Sequence, residues 1–193
     1  MPNLLVLGND KIAGLAYAKL LNVHDLDILI DKSTNCKRIL KLLQNKKITL
    51  GLVLKMFWAE FSRKGGKPPS SLPSIASNYD LHRQIQQATY EKIYLFRAGL
   101  IINQSVLETG LNILNVHAAK VPEYGGIGSI NRALMDKAYS QHASLHVVTT
   151  AIDQGEVLDK EPFPLNPHKP YFKNEEIAYG AAISLLFRSL CIK

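Results

Sequence analysis

The chain has little cysteine: two in 193 residues, Cys36 and Cys191, far apart. It has no C-x-x-C pair and no His/Cys cluster at zinc spacing, so neither a disulfide framework nor a structural metal is expected. Both thiols read as free and buried. Long apolar runs are also missing. No stretch reaches the roughly eighteen apolar residues of a spanning helix. The run Leu4 to Leu7 behind the N-terminus is too short for a secretory signal and reads as a first strand. A soluble, cytoplasmic protein is the expectation.

Acidic residues are scarce, 16 Asp and Glu against 23 Lys and Arg, for a formal charge of +7. That balance favours anionic partners: nucleotide phosphates, nucleic acid or a lipid surface. The basic residues cluster, with Lys37, Arg38, Lys41, Lys46 and Lys47 in one segment and Arg63, Lys64 and Lys67 in another. No aromatic residues interleave with them as in a base-stacking platform, so no nucleic-acid partner is expected.

What is present is an ordinary hydrophobic fraction, 47%, in a chain long enough for one domain over residues 1–193. Strand and helix signals alternate. A strand over 3–8 leads into a helix over about 11–21 capped by Asn9 or Asp10. A strand over 26–30 leads into a helix capped by Ser33 or Thr34, with Ile39, Leu42 and Leu43 on its buried stripe. An unusually apolar helix spans about 49–62. A Gly/Pro-punctuated loop follows over 63–74. Then come a helix near 78–88, a strand over 92–96, a short helix over 103–108 and a strand over 111–117. A helix over 129–137, a strand over 144–150 and a last helix from Asn174 complete the chain. In that last helix Glu175 and Glu176 would face the helix dipole, with Ile177, Ala181 and Leu185 on the stripe. The order predicts an α/β fold: a Rossmann-like, mostly parallel sheet with helices on both faces. Ligands of such sheets bind at the C-terminal ends of the strands.

The chemistry-bearing stretch is LNILNVHAAKVPEYGG, 111–126. Asn115 and His117 are two apart at the end of a strand, so both face one side. About thirty residues on, Asp153 lies just past another strand. An amide donor and an imidazole can hold the oxyanion of acyl transfer to an amine. A carboxylate beside them favours the charged imidazole and helps take the amine proton. Taken singly, each residue has an ordinary structural reading as a hydrogen-bonding or turn residue.

Asn115-Val116-His117, Pro122, Tyr124, Gly126, His146, Asp153 and Gly155 together resemble the 10-formyltetrahydrofolate-dependent formyltransferase family. The match is specific over about 92–160. The resemblance implies a catalytic trio of Asn115, His117 and Asp153, with 10-formyltetrahydrofolate as formyl donor and no metal. It places Gly99, Leu100, Ile101, Ile102 and Gln104, with Thr150, Ala151 and Ile152, against the folate. Tyr124 and Gly126 are placed near the acceptor only by their position just after the catalytic strand. Ala118-Ala119 departs from the family's Pro-Ser. Asp10 stands where the purine-pathway members, which act on glycinamide ribonucleotide, cradle a phosphate. The tRNA-formylating members have an additional C-terminal domain, and this chain ends about where the catalytic domain should. The expected acceptor is therefore a primary amine on a nucleotide-linked amino sugar. A glycinamide ribonucleotide type of acceptor, a formyltetrahydrofolate hydrolase and a catalytically silent folate-binding protein stay open. The helix over 49–62, apolar almost all round, is either buried or a contact surface. As a contact surface it would serve a homodimer or, second, a membrane surface.

Overall fold

A computed structural model describes residues 1–33, 36–46 and 48–191. Thr34 and Lys47 lie outside the described residues, as do the side chains of Cys36, Lys37 and Arg38. Seven strands form one sheet: β1 (Asn3–Leu7), β2 (Leu26–Asp31), β3 (Ser74–Ile75), β4 (Lys92–Phe96), β5 (Asn112–His117), β6 (Ser140–Val147) and β7 (Val157–Pro164). Their order is β3-β2-β1-β4-β5-β6-β7. The pairs β1–β2, β1–β4, β2–β3 and β4–β5 are parallel. The pairs β5–β6 and β6–β7 are antiparallel. The Rossmann-like, mostly parallel sheet is as expected. Its order reverses between β1 and β4, where such sheets open a crevice.

The helices are α1 (Lys11–Leu20), α2 (Cys36–Gln44), α3 (Leu50–Ser62), α4 (Asn78–Gln87), α5 (Gln104–Leu107), α6 (Ser129–Met135) and α7 (Tyr171–Cys191). Several starts follow from capping side chains: Asp10 accepts from Ala13 N–H, Thr49 from Leu52 N–H, Ser77 from Asp80 N–H and Asn103 from Val106 N–H. One face of the sheet, with Leu5, Leu7, Tyr94, Phe96, Leu114 and Val116, packs against α1, α6 and α7. The other, with Leu4, Val6, Leu29, Ile93, Leu95 and Ile113, packs against Leu81 of α4 and Val106 of α5.

The departures have local causes. β7 carries Pro162 and Pro164, which read against a strand. It is an edge strand, where a missing N–H can face outward. β3, only two residues, falls at the end of the expected loop. β6 begins four residues earlier than expected and ends at Val147, because it is an inner strand covered on both faces and its alternation fades over Ala143–His146. α7 starts at Tyr171, so Glu175 is not a first-turn residue. It is buried, accepting from Arg63 Nη2 at 3.0 Å and from the Tyr171 hydroxyl at 2.9 Å. The buried stripe of α7 accordingly runs through Ala178, Ala182, Leu185 and Leu186, not Ile177 and Ala181. Ile39 of α2 is exposed, not buried. Cys191 is free but exposed, at the end of α7.

Candidate active site

The site grows out of one row of the sheet. Leu29, Val6, Leu95, Asn115 and His146 are successive cross-strand partners over β2, β1, β4, β5 and β6. The first three are apolar and buried; the last two carry the chemistry. His117, two residues beyond Asn115, shares the face, as the spacing requires.

Asp153 arrives from an unexpected direction. β6 runs antiparallel to β5, so its end lies at the opposite edge from His117. The chain then doubles back: Val148 N–H bonds Ile113 O at 2.8 Å and Val147 N–H bonds Glu156 O at 2.9 Å. Gly155 permits the return, since a Cβ there would lie 1.8 Å from the Val147 carbonyl oxygen. Asp153 itself has a φ of +52°, a left-handed conformation that Asp tolerates better than most residues. The returning loop sets its carboxylate over the polar end of the row.

That carboxylate is crowded. Oδ2 accepts from Gly126 N–H at 2.6 Å and lies 3.6 Å from His117 Nδ1. Oδ1 accepts from Asn115 Nδ2 at 3.3 Å and lies 3.4 Å from His146 Nε2. Asn115 Nδ2 is also 3.1 Å from His146 Nε2. The outer ring nitrogens meet carbonyls: His117 Nε2 lies 3.0 Å from Tyr124 O and His146 Nδ1 lies 3.0 Å from Val147 O. Each of those nitrogens is therefore placed to donate.

Burial pushes the Asp153 carboxyl up, but the hydrogen bond with His146, the facing His117 and the Gly126 N–H together hold it well below the usual carboxylate range. For His117 the balance falls the other way. Burial lowers its pKa, and Asp153 and the Tyr124 carbonyl recover only part of the loss. This corrects the expectation of a charged imidazole: desolvation outweighs the neighbouring carboxylate, and His117 rests neutral.

The remaining site residues divide. Tyr124 supplies its carbonyl to His117, while its ring packs against the core on the far face of the sheet. Gly126 supplies its N–H to Asp153 and has a φ of +76°. Ala98 and Leu100 pack on the same apolar cluster as Val148, on the Asn115 face of the sheet, and Ile102 is buried in that cluster. Gln104 opens α5, its side chain bonded along the helix to Glu108 Oε1 at 3.0 Å. Thr150, Ala151 and Ile152 are exposed in the returning loop, which is tied by a 3.0 Å bond from Thr149 Oγ1 to Ala151 O.

Three residues escaped the sequence reading. In the sequence His146 is only one residue of a matching strand; its pairing opposite Asn115 brings it into the cluster. Asp31 and Asn78 brace the segment after β4: Asp31 accepts Leu100 N–H at 2.8 Å, and Asn78 donates to Ile101 O at 2.8 Å while accepting from Asn103 N–H at 3.1 Å. Both lie far away in sequence, and no motif announces them.

At the crevice, Asp10 pairs with the Arg97 guanidinium, which lies over the Tyr179 ring. Two carboxylates already serve the start of α1: Ala13 N–H bonds Asp10 Oδ1 at 2.8 Å and Lys11 N–H bonds Glu60 Oε1 at 2.8 Å.

A family model described as formyl transferase matches residues 31–171. The chain belongs to the formyl transferase family. It is 26% identical over 134 residues to a methionyl-tRNA formyltransferase of Syntrophomonas wolfei, covering 62% of this chain and 43% of that one. The match to the enzyme of the same description from Nitrosomonas eutropha is 27% over 101 residues, 52% of this chain and 32% of that one. The chain thus spans less than half the length of these curated relatives. Formyltransferase structures share the fold at low identity. A sugar N-formyltransferase from a Shewanella species superposes with a TM-score of 0.68 at 15% identity, over 98% of this chain and 68% of that one. Glycinamide ribonucleotide transformylase 1 from Geobacillus kaustophilus gives 0.65 at 18%, over 98% and 97%. An N-formyltransferase from Helicobacter canadensis, in complex with folinic acid and dTDP-3-aminofucose, gives 0.62 at 14%, over 98% and 63%. Among the described residues no cluster suited to a metal ion occurs and no helix is long and apolar enough to cross a membrane.

Proposed function

We propose that this formyl transferase moves a formyl group from 10-formyltetrahydrofolate to a primary amine on a nucleotide-linked amino sugar, with Asn115, His117 and Asp153 as its catalytic residues. The observation that carries the reading is the convergence of that amide, that imidazole and that carboxylate on one sheet face, the amide hydrogen-bonded to the carboxylate at 3.3 Å and the imidazole 3.6 Å from it. The amine nitrogen attacks the formyl carbon and the carbonyl oxygen takes up charge, to which Asn115 Nδ2 donates by exchanging one of its present partners, Asp153 or His146, for that oxygen. Neutral His117 accepts one amine proton, and ionised Asp153 holds the imidazolium that results. The bond from the formyl carbon to the folate N10 breaks, and N10 takes that proton. No protein nucleophile and no metal is needed. The segments containing Gly99, Leu100, Ile101, Ile102 and Gln104, and Thr150, Ala151 and Ile152, are the proposed folate contacts. Bracing by Asp31 and Asn78 suits recognition through a fixed backbone.

The acceptor class rests on the start of α1. A phosphate there would meet the Asp10 and Glu60 carboxylates, which already accept the N–H groups of Ala13 and Lys11. This speaks against an acceptor of the glycinamide ribonucleotide type and leaves a sugar amine as the better fit. The test is acceptor competition with the donor saturating. A nucleotide-linked amino sugar should be formylated in preference to both glycinamide ribonucleotide and the free sugar. Preference for glycinamide ribonucleotide would overturn the assignment.

A further inference from the structure

The face of α3 turned to solvent takes no part in this chemistry. In this helix of 13 residues, Leu50, Leu54, Phe57, Trp58 and Phe61 are each between 61% and 72% exposed. At about 100° per residue they fall within an arc of roughly 100°. Leu52 and Ala59, on the opposite side, are the buried pair. The helix therefore turns an apolar stripe to solvent, the reverse of an ordinary surface helix.

Its orientation is fixed from below. Leu52 packs so closely on Gly128 that a Cβ there would lie 2.7 Å from Leu52 Cδ2. Glu60 binds Lys11 N–H, and Lys11 Nζ bonds the carbonyls of Phe61 and Arg63 at 3.0 and 2.7 Å. Arg63 is buried between Glu60 and Glu175, each 3.0 Å away. Rolling the helix to hide its stripe would strand buried charges.

Charge identifies the occupant. Between Asp31 and Asp80 the chain has ten Lys and Arg against one acidic residue, Glu60, an imbalance larger than the +7 of the whole chain. The carboxylate of Glu60 is already engaged. Lys55 within α3, Lys46 before it, and Lys64 and Lys67 after it are all exposed. We propose that this face docks on an anionic lipid bilayer, with α3 lying along the interface, its stripe among the acyl chains and the lysines on headgroup phosphates. A second copy of the chain fits less well. Both ends of the helix are basic, so parallel and antiparallel pairings alike set lysine against lysine. Nucleic acid would use the lysines but leave the leucines and phenylalanines in water.

Trp58 is the chain's one tryptophan, so its emission reports the patch directly. Vesicles of phosphatidylcholine mixed with phosphatidylglycerol should sediment the protein and shift that emission to the blue. Vesicles of phosphatidylcholine alone should do so far less, and added salt should weaken the effect. Phe57→Ser with Trp58→Glu should abolish sedimentation. Lys46→Glu, Lys64→Glu and Lys67→Glu combined should reduce it about tenfold or more; this second variant changes only exposed side chains, so it reads out even if the first fails to fold. No binding to either vesicle would overturn the proposal. So would a blue shift without vesicles, accompanied by dimer mass in light scattering, or retention by transfer RNA in place of vesicles.

Discussion

At the scale of single residues, the account turns on Asp153 and its neighbours. Asn115→Ala, His117→Ala and Asp153→Ala should each lower kcat by about two to three orders of magnitude, the usual effect of losing one preorganised donor. Circular dichroism should be unchanged, and turnover within threefold of wild type for any of them would remove that residue from the mechanism. The pH profile tests the protonation states. The pKa of His117 is lowered from its ordinary value near 6.5, so its neutral form grows as pH rises through that lowered value and persists above it. The pKa of Asp153 is lowered below 3.8, so it stays ionised throughout. Measured at saturating acceptor, kcat should rise from acid pH and hold through neutrality. A decline between about pH 6.5 and 8 would instead require a charged imidazole. Asn115 and His117 were legible in the sequence because a spacing of two in a strand fixes their common face. The reach of Asp153 was only half legible. Its position past a strand could be read, but the antiparallel return that brings it over the sheet depends on non-local pairing. His146 was hidden for the same reason, since register, not sequence distance, sets it opposite Asn115.

At the scale of elements, the returning loop after β6 matters most. Gly155→Ala puts a methyl group where the Val147 carbonyl stands. The loop must shift, and kcat should fall about a hundredfold from misplacement of Asp153 while secondary structure is retained. Activity close to wild type would show that the loop does not set the geometry. Elements with a side-chain cap and a clear period, α1, α3 and α4, were legible almost to the residue. β7 was not, because its two prolines argue locally against a strand and only its edge position makes them acceptable. Glu175 was misread for a related reason: as a carboxylate near a helix start it suggests the dipole, whereas the helix begins earlier and turns it toward Arg63.

At the scale of the whole molecule, the polar cluster lies on one face of the sheet, and the basic residues and the exposed apolar stripe concentrate in the segment between β2 and β3. The first was foreshadowed by the resemblance over about 92–160. The exposure of α3 was open until packing showed which side faces inward. The central claim is amine-dependent formyl transfer. It is tested most directly by incubating the protein with 10-formyltetrahydrofolate, with and without a panel of nucleotide-linked amino sugars, and following both tetrahydrofolate release and acceptor mass. The account predicts that release requires the amine, that one acceptor gains the mass of a single CO, and that Asp153→Ala shows neither. Release at the same rate without any amine would identify a hydrolase, and donor binding with no release in either condition would identify a silent folate-binding protein; either result would contradict the account.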